Sequence, residues 1–130
     1  MKRSIAGIIF RNGKFLIGKR LPTGEMASRW EFPGGKVDGD ETPEASLLRE
    51  FREEMAIDVS VGRLIGTAEF TNRNGPSELL AYEVSIPVDL PVELTEHSSV
   101  TWATMDEIGR LEFVDSDRLL LPAIKEWYSL

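Results

Sequence analysis

The sequence contains no cysteine and a single histidine, His97. No disulfide can staple the fold, and neither a thiolate nor a multi-histidine zinc centre can be built. Any metal must be held by oxygen, which favours Mg²⁺, Mn²⁺ or Ca²⁺. Long apolar runs are also missing, so no membrane span or membrane partner is expected. The run Ser4–Phe10, behind Met1-Lys2-Arg3, ends in Arg11-Asn12-Gly13 with no small-residue cleavage site. It reads as a first strand rather than a leader. A cysteine-free composition suits a reducing compartment, and the expected location is the cytoplasm. Positive charge is scarce: 15 Lys and Arg against 22 Asp and Glu leave a net charge of −7. That argues against a surface for long nucleic acids. A small phosphorylated ligand is compatible with it, because a divalent cation can stand between carboxylates and phosphates.

At 130 residues the chain is expected to form one domain over 1–130. Ser4–Phe10 and Lys14–Lys19 read as strands joined by a hairpin at Asn12-Gly13. Leu21–Ser28 reads as a loop and Trp30–Phe32 as a short strand entering Pro33-Gly34-Gly35. Thr42 is a suitable N-cap and Pro43 a suitable first helical residue. The helix should run from Pro43 to about Ala56, with Leu47, Leu48, Phe51 and Met55 as its buried stripe. Val59–Phe70 and Leu79–Ile86 are further strands, separated by a polar loop over Thr71–Ser77. Val100–Ala103 is a last short strand, and Thr104 with Glu107 forms a capping-box pattern for a helix ending near Gly109. Asp115–Tyr128 reads as one final helix, kinked or delayed by Pro122, with Leu119, Leu120, Ile124 and Trp127 facing inward. The class is α+β, a mixed sheet with helices packed on it.

The chemistry concentrates on the long helix. Glu50, Glu53 and Glu54 stand at i, i+3 and i+4 and share one face. Three like charges so placed repel, and a bound divalent cation reverses the sign of that interaction. An acidic helix face alone is more often merely solvated. This one is accompanied by Gly34 and Gly35 before the helix, Glu41 at its mouth and Arg49 within it.

Gly35, Glu41, Arg49, Glu50, Glu53, Glu54 and Ile57 together resemble the Nudix box, a glycine followed at fixed spacing by a glutamate and an Arg-Glu…Glu-Glu helix. The resemblance implies an α/β/α sandwich with a mixed sheet and a loop–helix–loop catalytic motif. It also implies Mg²⁺ as cofactor, with Mn²⁺ as a substitute, and attack of water on a phosphorus of a diphosphate linkage. On that basis Glu53 and Glu54 are the main metal ligands, Glu50 a further ligand or helper, and Gly35 brings its backbone to the metal. Arg49 would orient a box glutamate, or form an ordinary helix ion pair, and Glu41 would brace the loop. There are two departures from the pattern. Phe51 replaces an aliphatic residue, and Ala56 replaces a glycine, which suggests a less glycine-like backbone there.

Finer features are similar to the MutT-like branch: the run Met26–Lys36, then Thr42-Pro43-Glu44. Glu96, six residues before Trp102, matches a loop glutamate that serves there as metal ligand or general base, although a surface acid would look the same. Catalysis would thus fall to Glu53, Glu50, Arg49 and Glu96. Arg20, Gly34, Lys36 and Asp117 would bind substrate, Arg20 and Asp117 by reading the base. Asp117 would favour a donor-bearing base edge, since an ionised carboxylate only accepts hydrogen bonds. Trp30 and Phe70 are candidates for stacking on the base. The residues Asn72, Arg73 and Asn74 stand where other branches carry a proline or a tyrosine. The expected reaction converts a (deoxy)nucleoside triphosphate, including an oxidised or modified one, to the monophosphate and pyrophosphate. The alternatives are another nucleoside diphosphate-linked substrate (a nucleotide sugar or an RNA 5′ end) and a non-catalytic sensor. The expected partner is a small nucleotide, on a monomer or homodimer.

Overall fold

In the computed structural model, which describes residues 1–130, Asn12 and Gly13 both adopt positive φ, 53° and 79°. Such a pair matches the right-handed twist of two strands. It joins β2 (Phe10–Arg11) to β3 (Lys14–Arg20). The run expected over Ser4–Phe10 is broken. β1 (Lys2–Ile8) ends before buried Ile9, so β1 and β2 enter different sheets.

One sheet has the order β5-β1-β7-β6, with β5 Gly34–Lys36, β6 Ser60–Asn72 and β7 Gly75–Ser85. β1 and β7 are parallel and the other pairs antiparallel, so the sheet is mixed. In the second sheet β3 pairs with β2, with β4 (Trp30–Glu31) and with β8 (His97–Ala103).

Helix α1 (Pro43–Met55) forms as its sequence dictates, with Thr42 Oγ1 accepting from Ala45 N at 3.1 Å. Leu47, Phe51 and Met55 pack against Ile5, Ile9, Leu80 and Val84 on one side of the mixed sheet. A second core, including Ala6, Ile8, Phe15, Phe32 and Phe113, fills the space between the sheets. There the sheets are closed over by α2 (Met105–Arg110) and α4 (Leu121–Trp127), through Ile108, Leu121 and Ile124. Phe51 is fully buried, and truncating it to alanine is expected to cost roughly 3–5 kcal/mol.

Several expectations change. Ala56 caps α1 at φ 54°, ψ 36°, a left-handed conformation, so the backbone there is as glycine-like as the motif asks and alanine bears the strain. The Thr71–Ser77 segment is not a loop. β6 and β7 run through it and turn at Arg73-Asn74, with Asn72 Oδ1 accepting from Asn74 N at 2.8 Å and Gly75 at φ 99°. The final helix is two helices, α3 (Asp115–Arg118) and α4, because Pro122 fits a first turn but cannot continue an earlier one. Leu119 falls in the break and is 52% exposed, while Leu120 and Ile124 are buried as expected. β8 begins at His97, three residues ahead of Val100, and the Thr104–Glu107 capping box has both of its bonds. No helix is long and apolar enough to cross a membrane.

Candidate active site

The polar face of α1 is organised around Arg49. Its Nη1 donates to Glu50 Oε1 at 2.9 Å and to Glu53 Oε2 at 3.1 Å. Its Nε and Nη2 grip both oxygens of Glu41 at 2.8 and 2.9 Å, and Nη2 also reaches the Lys36 carbonyl at 3.0 Å. Glu41 further accepts from Ser46 Oγ at 2.8 Å and from Asp38 N at 3.0 Å. The Arg49 guanidinium, with those two donors, holds the Glu41 carboxyl down at about 2. Glu41 therefore ties the loop before α1 to the helix and is fully occupied in doing so.

The glycine pair brings backbone close to this face. A Cβ on Gly35 would lie 2.4 Å from the Glu50 carboxyl carbon, and one on Gly34 would lie 2.0 Å from the Ile5 carbonyl oxygen. At Gly34 backbone leaves no room for a side chain, and at Gly35 one would displace the Glu50 carboxyl. Burial, only partly offset by Arg49, raises the pKa of Glu50.

Glu54 differs from its neighbours. It is 6% exposed, and its Oε2 is buried without a hydrogen-bond partner. Burial pushes its carboxyl up to about 9, and the nearby charges of Glu50, Glu31, Glu96 and Glu53 add to the push. A buried acid ringed by acids is costly unless a cation joins them. The donor set is all oxygen, as Mg²⁺ or Mn²⁺ requires. No three carboxylates yet converge as a ready-made cage, since Arg49 draws Glu50 and Glu53 to itself. Glu96 comes from a different loop. Its neighbour Thr95 pins that loop to the end of α1, donating from N to the Glu54 carbonyl and from Oγ1 to the Glu53 carbonyl, both at 3.1 Å.

A second cluster lies on the other sheet. Asp117 is buried, and its Oδ2 accepts from Phe32 N at 2.9 Å. Burial first, then the charge of Glu31, raises its carboxyl to about 7 against the pull of the Phe32 N–H and Arg20. Arg20 does not touch Asp117 directly. It donates to Glu31 Oε1 at 3.0 Å, and His97 Nε2 meets Glu31 Oε2 at 2.8 Å. Lys36 stands apart, lining an open cavity of about 350 Å³ with Lys2, Arg3, Ser4, Asn72 and Ser77. Trp30 and Phe70 pack against the core between the sheets.

Glu31 and His97 are the residues that sequence reasoning missed. Glu31 was legible as a lone acid between Trp30 and Phe32 in a two-residue strand, where alternation sends it away from its aromatic neighbours. His97, the single histidine, carries no motif of its own in the sequence.

The NUDIX domain profile matches residues 1–124. This chain belongs to the Nudix family. A Mycobacterium tuberculosis relative, provisionally named 8-oxo-dGTP diphosphatase 2, is 36% identical over 117 residues, covering 88% of this chain and 81% of its own length. The CTP pyrophosphohydrolase of Escherichia coli is 32% identical over 119 residues, covering 92% and 87%. Among solved structures, that of the Escherichia coli ORF135 protein superimposes with a TM-score of 0.85 at 30% identity, over 99% of this chain and 91% of that one. The chain is a MutT-like Nudix pyrophosphohydrolase on the mixed α+β fold of that family. Nudix hydrolases generally work with divalent metal ions, and the Glu54 oxygen buried without a partner lies on the acidic face of α1.

Proposed function

We propose that this enzyme hydrolyses a (deoxy)nucleoside triphosphate, including oxidised or otherwise modified ones, to the nucleoside monophosphate and pyrophosphate, and so serves to clean the nucleotide pool. The observation that carries the proposal is one acid-rich centre, Glu54 with Glu50, Glu53 and Glu96, bordering the cluster of Arg20, Glu31 and the buried Asp117 through Glu31. The first suits a cation and phosphates, the second a base edge. Glu50, Glu53, Glu54, Glu96 and the Gly35 carbonyl would hold Mg²⁺ or Mn²⁺. When bound, that ion supplies charge neutralisation on phosphate oxygens and a more acidic water. Arg49 positions Glu50 and Glu53, and Glu96 or Glu53 takes the proton of the attacking water.

Asp117 would read the base. With its carboxyl at about 7, it can hold or release a proton near neutrality, and so can donate as well as accept. That widens the expectation of a donor-bearing edge. Cytosine presents an N4 donor beside an N3 acceptor, and 8-oxoguanine an N7 donor beside the O6 acceptor. One titratable carboxyl can meet either, which suits a chain related both to a CTP pyrophosphohydrolase and to a protein named for 8-oxo-dGTP.

The test is turnover of a panel of normal and oxidised dNTPs, NTPs and nucleotide sugars with Mg²⁺, with both products identified. Release of pyrophosphate from at least one triphosphate is expected. Turnover of nucleotide sugars alone, or release of orthophosphate, would overturn the assignment.

A further inference from the structure

His97 is 2% exposed, and its ring reaches Glu31 from another strand. β3 runs between β8, which carries His97, and β4, which carries Glu31. To bridge them the ring must cross β3, and it crosses at Gly18, the residue paired with Glu31. A Cβ on Gly18 would lie 2.5 Å from the ring Cδ2 and 2.8 Å from Cγ and Nε2, so any side chain there would block the path. The register of β3 on β8 shifts between Lys19 and Arg20, setting Arg20 opposite His97. Such bulges re-aim side chains. Here both residues converge on one carboxylate, Arg20 on Oε1 at 3.0 Å and His97 on Oε2 at 2.8 Å.

The other ring nitrogen, Nδ1, is buried and has no partner. An ionised Glu31 oxygen can only accept, so Nε2 carries the proton in that bond. A residue kept for packing alone would leave no such orphan, since an apolar side chain fills the same space without burying an unpaired nitrogen. Glu31 itself faces both halves of the site, for its charge raises the carboxyls of Glu54 on α1 and Asp117 on α3. His97 also directly follows Glu96. With Thr95 pinned to α1 on one side and His97 pinned to Glu31 on the other, Glu96 is held between two anchors.

We propose that His97 is a positioning residue: by clamping Glu31 across Gly18 and anchoring the chain beside Glu96, it sets the enzyme's grip on both nucleotide and cation while touching neither. The proposal rests on the triphosphate reading for its kinetic test. His97→Leu keeps bulk and loses the donor, while His97→Gln keeps a donor. In His97→Leu the KM for the triphosphate and the Mg²⁺ concentration for half activity are expected to rise by about 10-fold or more, with a smaller change in kcat. His97→Gln should recover most of both shifts. A variant merely less well folded would lower kcat in proportion to active enzyme and leave KM and the Mg²⁺ midpoint alone. That result, or a His97→Gln indistinguishable from His97→Leu, would overturn the proposal.

A second measurement requires neither turnover nor a folded His97 variant. His97 is the only histidine, so its imidazole signals in NMR are unambiguous. The Nε2 proton should be protected and hydrogen-bonded in the wild type, should shift on Glu31→Gln, and should respond to added Mg²⁺ or nucleotide. A resonance indifferent to Glu31→Gln and to both ligands would sink the positioning role even if triphosphate hydrolysis is found. A responsive one would support it even if the triphosphate reading fails.

Discussion

The two halves of the site solve opposite electrostatic problems. On α1, acids outnumber their partners: Arg49 is shared among Glu41, Glu50 and Glu53, and Glu54 Oε2 is left with no partner at all. On the second sheet each acid is answered. Both oxygens of Glu31 are occupied and Asp117 takes the Phe32 N–H. The first region leaves a buried carboxylate oxygen unmatched, whereas the second holds both oxygens of Glu31. A region with unmet charge is suited to loading and turnover. One whose carboxylates are already held, with only the His97 Nδ1 left unpaired, is suited to discrimination, because a mismatched ligand would leave further buried polar groups unpaired.

That contrast can be broken at either end. Glu53→Gln and Glu54→Gln should lower kcat by about 10²–10³-fold with the fold intact. Wild-type rates with properly folded protein would remove these acids from the metal chemistry. Asp117→Asn should cost about 10–100-fold in kcat/KM for the preferred base and much less for others, so the substrate ranking changes. A uniform loss over all bases would show that Asp117 supports the fold rather than reading the ligand.

Stability should separate the halves as well. The Glu54 carboxyl rises from 4.5 to about 9 on folding and that of Asp117 from 3.8 to about 7. A raised acid contributes stability that is fully present below its unfolded pKa and is lost as pH climbs to the folded one. In the absence of divalent cation, the melting temperature should therefore fall steadily between about pH 5 and pH 9. Mg²⁺ should flatten the upper part of that slope, and Glu54→Gln should remove both the slope there and the response to Mg²⁺. A pH-independent melting temperature in chelator would contradict the burial of these acids. The smallest effect concerns neither half. Ala56→Gly relieves a left-handed cap and should stabilise the protein by about 1 kcal/mol, measurable by urea denaturation. Destabilisation would mean that the cap is not strained.

The same contrast explains what could be read in advance. The acid-rich half lies on one stretch of chain, Gly35 to Glu54, where spacing along a helix translates directly into a shared face. The fold around it was equally local in origin: the Asn12-Gly13 turn, the Thr42 cap and the Thr104–Glu107 box are all bonds between near neighbours. The second half draws Arg20, Glu31, His97 and Asp117 from β3, β4, β8 and α3, and their meeting depends on strand register and on Gly18 being bare. Nothing in their spacing announces it. Arg20 and Asp117 were singled out through resemblance, whereas the carboxylate and imidazole joining the cluster were not. One error in the fold shares this character. Pro122 could be seen as a disturbance, but whether it kinks a helix or starts a new one is decided by where Leu120 and Ile124 find the core.

Arg49 already serves the acidic face of α1 as a cation. One guanidinium already spans Glu50 and Glu53 and is anchored through Glu41 and the Lys36 carbonyl. A divalent ion binding there would meet carboxylates that already have a cationic partner, so that its loading would exchange one cation for another. Because the same guanidinium fastens the loop before α1, such an exchange would be felt there too.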